Sequence, residues 1–227
     1  MSRVLNVARL QLINKQTFIW VPMIILVGAV LLSIAIFWIV PSDTVIVGAA
    51  QAPLWYFFAV GLSALTLTFP FSQALSITRR EFFLGTMLIA VLGSTFLALM
   101  FVLLGQIELA TDGWGLGGYA FYLPWMWEGG AFAAGLEFFT MAMLFFLAGF
   151  LGATIYKRSG PLVITLVSVG FGVLLVGVLF FITRLDLWAE VGAAFASLGA
   201  LGLAMWGLLL VAVMAATSFL VLRGATP

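Results

Sequence analysis

The stretch Ser76-Ile77-Thr78-Arg79-Arg80-Glu81-Phe82-Phe83-Leu84-Gly85-Thr86 is a short charged interruption between two long apolar runs. Only 7% of the 227 residues are charged and 65% are hydrophobic, so two adjacent arginines and a glutamate here call for a cause. One cause is topology, because arginines hold a loop on the cytoplasmic side of a membrane. The other is recognition. Residues 78–83 read as a brief amphipathic helix, apolar toward lipid or bundle and charged toward water or a protein partner. Gly85 and Thr86 then start the next apolar run.

Composition places the whole chain in the membrane class. It holds 22 Phe and 8 Trp, with a mean hydropathy of +1.28. Cysteine and histidine are both absent, which excludes disulfides, thiolate chemistry, imidazole general bases and the usual zinc or haem ligation. No catalytic residue and no metal ligand set is therefore expected. Nine basic residues scattered among loops make no nucleic-acid patch. Residues 1–16 are too polar and too long to read as a cleaved signal peptide, so the first apolar run is expected to be retained.

Along the chain, residues 2–16 place Val4, Leu5, Ala8, Leu12 and Ile13 at helical spacing, and an interfacial helix with Arg3, Arg9 and Lys15 toward anionic headgroups is expected. Six spans follow, near 17–40, 54–72, 82–105, 131–156, 162–182 and 193–222. The first would reach roughly 36 Å, enough for a ~30 Å hydrocarbon core with some tilt. Trp20 and Trp38 lie near its ends as interfacial anchors, and Pro41, Ser42 and Asp43 mark its exit. Pro70 is expected to bend or end the second span. The outer loop 106–130, rich in glycine and tryptophan, is expected to pack at the interface, with Leu123 to Trp127 dipping into headgroups. Lys157, Arg158, Ser159, Gly160 and Pro161 form a tight basic turn.

Polar groups inside the apolar runs are the candidate pathway residues: Ser63, Thr66, Thr165, Ser168 and Glu137. Each hydroxyl is open to two readings, a bond to its own preceding turn or a substrate contact. Glu137 faces protein or water in either case, because a carboxylate at mid-bilayer costs ~2.5–3.5 kcal/mol.

Charge counting orients the spans. Eight of the nine Lys and Arg residues fall at the N-terminus, in the second and fourth loops and at the C-terminus, with only Arg184 outside. Asp43, Glu108, Asp112, Glu128, Asp186 and Glu190 fall on the other side. The expected fold is an all-α membrane protein with six transmembrane helices, an N-terminal interfacial helix, a short cytoplasmic helix near 76–84 and both termini cytoplasmic.

This layout, with Thr78-Arg79-Arg80-Glu81-Phe82-Phe83 followed by Gly85-Thr86 after the second span, resembles the permeases of ABC-2 type transporters. The resemblance implies a connecting helix at 1–16, a permease domain at 17–223 and a coupling helix that docks on a cytoplasmic ATPase. Thr78, Arg79, Arg80, Glu81, Phe82 and Phe83 would form that docking site, the charged residues pairing with the partner and the phenylalanines anchoring it. Spans two and five would line the interface with a second permease, identical or paralogous. Two ATPase subunits would carry ATP and Mg, and the chain itself would bind no cofactor. Neither lysine lies in a Gly-x-x-x-x-Gly-Lys-[Ser/Thr] loop, in keeping with that division. The resemblance further implies a bacterial plasma (inner) membrane and export. The apolar spans suit an amphipathic or lipid-like cargo. The alternative is a non-transporting polytopic scaffold that docks a cytoplasmic partner through the same charges.

Overall fold

The computed structural model describes residues 3–12, 15–40 and 44–224. Pro41, Ser42 and Asp43, expected to end the first span, and Ile13 and Asn14 of the expected N-terminal helix lie outside the described residues. The architecture is all-α: α1 (Arg3–Leu12), α2 (Val21–Ile39), α3 (Gln51–Ser63), α4 (Phe69–Ala74), α5 (Arg79–Ala110), α6 (Pro124–Trp127), α7 (Gly130–Arg184) and α8 (Trp188–Leu222). Two two-residue strands, β1 (Val45–Ile46) and β2 (Gly118–Tyr119), pair in parallel. Among the described residues, five helical stretches are long and apolar enough to cross a membrane: Gln16–Ile39, Gln51–Ala74, Arg79–Ala110, Gly130–Arg184 and Trp188–Leu222.

Two departures from the expected boundaries have local causes. Pro70 does not end its helix. A π-turn at Ala64–Thr68 precedes it, and the wider turn makes room for the proline ring against the preceding turn, so the helix runs on to Ala74. Within α7, Gly160 has φ 81 and ψ 178, and Pro161 follows. Only glycine adopts that conformation cheaply, so the direction of the chain changes there. Gly199 does the same within α8, with φ 60 and ψ 179, and divides it into helical stretches on either side.

The core is a stack of phenylalanines. Phe69 meets Phe82 edge-on at 5.2 Å, and Phe101 lies 5.2 Å from Phe121 and 5.1 Å from Phe138. Between these, α3 and α7 cross with almost no space between backbones. A Cβ on Gly61 would lie 2.1 Å from the Phe146 carbonyl oxygen, and one on Gly149 would lie 2.0 Å from that of Phe58. The contact is reciprocal: each glycine sits under the carbonyl three residues before the other. Small residues let helices approach this closely, and Cα–H groups then face carbonyl oxygens.

One face of the N-terminal helix packs on α5, while Leu5 stays exposed. Val7 and Ala8 are buried, Val7 lies against Gly85 of α5, and the Gln11 amide donates to Thr86 Oγ1 at 2.8 Å. The small residue at 85 is what admits α1.

At the opposite end of α5, the glycine- and tryptophan-rich segment is gathered by one buried side chain. Glu108 has no exposed surface. Its Oε2 accepts from the backbone N–H groups of Ala120, Phe121 and Tyr122 at 3.1, 2.8 and 2.8 Å, and Trp114 Nε1 makes a longer 3.4 Å contact with Oε1. Gly118 lies flat against the Phe37 ring, and Val47 donates its N–H to the Tyr119 carbonyl at 3.0 Å. The Tyr119 hydroxyl donates to Asp112 Oδ1 at 3.0 Å, which holds its phenol above the usual range. The expected dip of residues 123–127 into headgroups is corrected in part. Met126 and Trp127 are buried in the bundle, Trp127 Nε1 donating to the Phe121 carbonyl at 3.1 Å, while Pro124 and Trp125 are exposed.

Two measurements check this packing. Gly61→Ala or Gly149→Ala forces α3 and α7 apart and is expected to cost about 1–3 kcal/mol, as overpacked cores do; Gly152→Ala, at a position with open space around it, should leave the thermal midpoint of the purified chain unchanged. Glu108→Gln turns one of the two acceptor oxygens into an NH2 facing N–H groups and is expected to cost about 1–3 kcal/mol for each donor stranded, with faster hydrogen exchange at residues 120–122.

Candidate functional site

Thr78 is the N-cap of α5. Its Oγ1 accepts from the Glu81 N–H at 3.2 Å while Glu81 Oε2 accepts from the Thr78 N–H at 3.0 Å and from its hydroxyl at 2.8 Å. This reciprocal capping box satisfies two of the orphan amides at a helix start. It also corrects the expected layout. No separate short helix stands at 78–83: these residues are the first turn and a half of the 32-residue α5, because the box nucleates a helix that nothing then interrupts.

The six residues expected to dock do not share one surface. Arg80 is exposed and Arg79 and Glu81 are half-buried. Phe82 is fully buried against Phe69, so it faces the bundle and does not project as an anchor. Phe83 packs on Phe219 at 5.1 Å and Phe150 at 6.2 Å, joining α5 to α8 and α7.

The Arg79 guanidinium donates from Nη1 to the carbonyl oxygen of Arg223, the C-cap of α8. A cation at a helix C-terminus complements both its dipole and its unsatisfied carbonyls. No sequence pattern announces this tie, since the partners are 144 residues apart. Arg79, Arg80, Phe219 and Arg223 line one open cavity of about 660 Å³. Arg158 comes from α7 to the same end, its guanidinium against Gly224.

A second cavity, also about 660 Å³, lies between α3, α8 and the parts of α7 on either side of Gly160. Phe58, Leu62, Leu151, Ile164, Phe171 and Met214 form most of its wall; only Thr66, Tyr156 and Ser168 bring polar side chains to it. Thr66 is already turned onto its own helix, donating to the Leu62 carbonyl at 3.1 Å. Ser63 and Thr165 do likewise, to Val60 at 2.9 Å and Pro161 at 2.9 Å, and neither lines the cavity. Glu137 also lies apart from it. Its side chain is 7% exposed and Oε2 has no hydrogen-bond partner among the described residues. Of the five candidate pathway residues, the fold brings Thr66 and Ser168 together and leaves the other three elsewhere.

No protein-family model, curated protein or solved structure matches this chain.

The Arg79 tie makes a direct prediction. Arg79→Ala leaves the Arg223 carbonyl without its cationic donor and should cost ~1.5 kcal/mol, the lower end for a bond to a charged group. Hydrogen exchange should quicken in the last turn of α8, while Thr78→Ala should instead quicken it in the first turn of α5.

Proposed function

We propose that this chain is the transmembrane permease subunit of an ATP-binding cassette transporter, moving an amphipathic or lipid-like substrate by alternating access. The observation that carries the reading is the apolar cleft, whose walls offer three polar side chains in about 660 Å³. Such a lining suits an acyl or other apolar body and gives an ion or sugar too few partners. The resemblance of residues 76–86 to an ABC-2 coupling segment supplies the rest.

On this reading the chain makes six crossings, α7 counting as two. Supporting that count, Arg158 lies by Gly224 at one end of the bundle while Leu201 lies by Gly129 at the other. The stretch 161–184 must then run back along the bundle to reach α8. Both termini and the arginine-rich end would face the cytoplasm of a bacterial cell, by the positive-inside rule. Arg80 and the first turn of α5 would meet one ATPase subunit, and the second permease would meet another, the two ATPases holding ATP and Mg. Residues 161–184, apolar and exposed along most of their length, would face lipid or a second permease. Gly160 and Gly199 bound the segments that move, because both already hold conformations that other residues resist.

Reconstitution with the ATPase that co-purifies with it tests the reading. Arg80→Glu is the variant to use, since Arg79 and Glu81 have structural partners, and Arg223→Gln, which leaves the first turn of α5 intact, is the control for lipid binding at the same end. Coupled ATP hydrolysis and efflux of a fluorescent lipid are expected to fall about tenfold, as for a loss of ~1.4 kcal/mol at the contact. Unchanged ATPase and efflux in a correctly inserted Arg80→Glu chain would rule out docking through this turn.

A further inference from the structure

We propose that the basic end of the bundle is a binding site for the phosphate-bearing headgroup of an anionic phospholipid, with Arg80 and Arg223 holding the phosphate. The cavity there is lined by three arginines and one phenylalanine, Arg79, Arg80, Arg223 and Phe219. Arg158 adds a fourth guanidinium beside Gly224. Guanidinium groups present planar forks that match phosphate oxygens two at a time.

Arg79 is stabilised by the α8 C-terminus, but gathering four guanidinium groups at one end is costly without an anion. Arg79 and Arg80 occupy the first turn of α5, where the helix dipole disfavours positive charge, and the four side chains come from three different helices to one end. An anion seated among the arginines offsets both penalties. The tie between Arg79 and the Arg223 carbonyl fixes the two walls of the cavity relative to each other, so Arg79 acts as a positioning residue.

Size and surroundings select the occupant. A cavity of about 660 Å³ is far larger than a phosphate ion and suits a headgroup with its glycerol. Phe219 gives it an apolar wall, and Leu84 and Leu220, both exposed, begin an apolar surface beside it on α5 and α8. A lipid seated there puts phosphate on the arginines and its chains along the leucines. The ligand is distinct from any cargo in the apolar cleft, and the site does not depend on the transporter reading.

The test uses the purified full-length chain in neutral detergent, with no ATPase. Its thermal midpoint is followed against short-chain phosphatidylglycerol, short-chain phosphatidylcholine and glycerol phosphate. Phosphatidylglycerol is expected to raise the midpoint at concentrations where the other two do not. In R80Q/R223Q the half-saturating concentration should rise roughly 30-fold, from the loss of two basic side chains at a membrane surface. R184Q should titrate like the parent. R80Q alone, at an exposed side chain, should shift it roughly fivefold and carries the test should the double variant misfold. Equal responses to the two lipids, or an unshifted titration in R80Q, would overturn the site. A response to glycerol phosphate equal to that of phosphatidylglycerol would overturn the lipid as its occupant.

Discussion

The crossing of α3 over α7 at Gly61 and Gly149 is the contact on which the bundle depends. Its outer surface is apolar, with Leu31, Leu32, Leu166 and Phe180 all exposed. In lipid such a surface loses nothing by staying uncovered, so burial of apolar area cannot pull the helices together. Shape has to do it. Two missing side chains bring carbonyl oxygens against Cα–H groups, and the rings of Phe57, Phe146 and Phe150 then close around the crossing. The same geometry sets one wall of the apolar cleft, since Phe58 and Leu62 flank Gly61 and Leu151 and Gly152 follow Gly149.

The two ends of the bundle are finished differently. At one, a buried carboxylate is made affordable by three backbone N–H donors, and the segment 113–122 folds around it. A charge with so many donors is costly to disturb. Trp114 even holds a left-handed backbone there, with φ 63, which a non-glycine residue keeps only where its surroundings compensate. At the other end the polar groups are guanidinium groups around an open cavity, and the main tie is between a side chain and a helix terminus. The first end is closed and cross-braced, the second open and cationic. On the proposed function, that asymmetry puts partner and headgroup at the end that can respond, and leaves the braced end to hold the helices in register.

Much of this was legible in the chain itself. The membrane class, the long helices and the break at Gly160-Pro161 follow from hydropathy and from two residues whose backbone limits are local. The capping box rests on equally local chemistry, since Thr78 and Glu81 are three residues apart and answer each other's amides within one turn, yet residues 78–83 read from sequence as a separate helix. The pathway hydroxyls were legible only as alternatives. Ser63, Thr66 and Thr165 resolve toward their own helices, and spacing alone could not place Thr66 and Ser168 in one cleft.

What the tertiary structure alone decided are the pairings between distant positions. Phe82 looked like half of an exposed anchor and is instead core, because α4 brings Phe69 beneath it. Glu108 looked like an outer acidic residue and is instead the hub of the cap, because its donors are backbone groups that carry no residue signature. Arg79 looked like a docking charge and is engaged with the carbonyl of Arg223, for the same reason. Sequence determines the properties set within a turn of helix: hydropathy, caps and backbone limits. Which surface each helix turns inward depends on close approach between helices far apart in the chain, and that is settled only where glycines such as Gly61 and Gly149 meet opposing backbone.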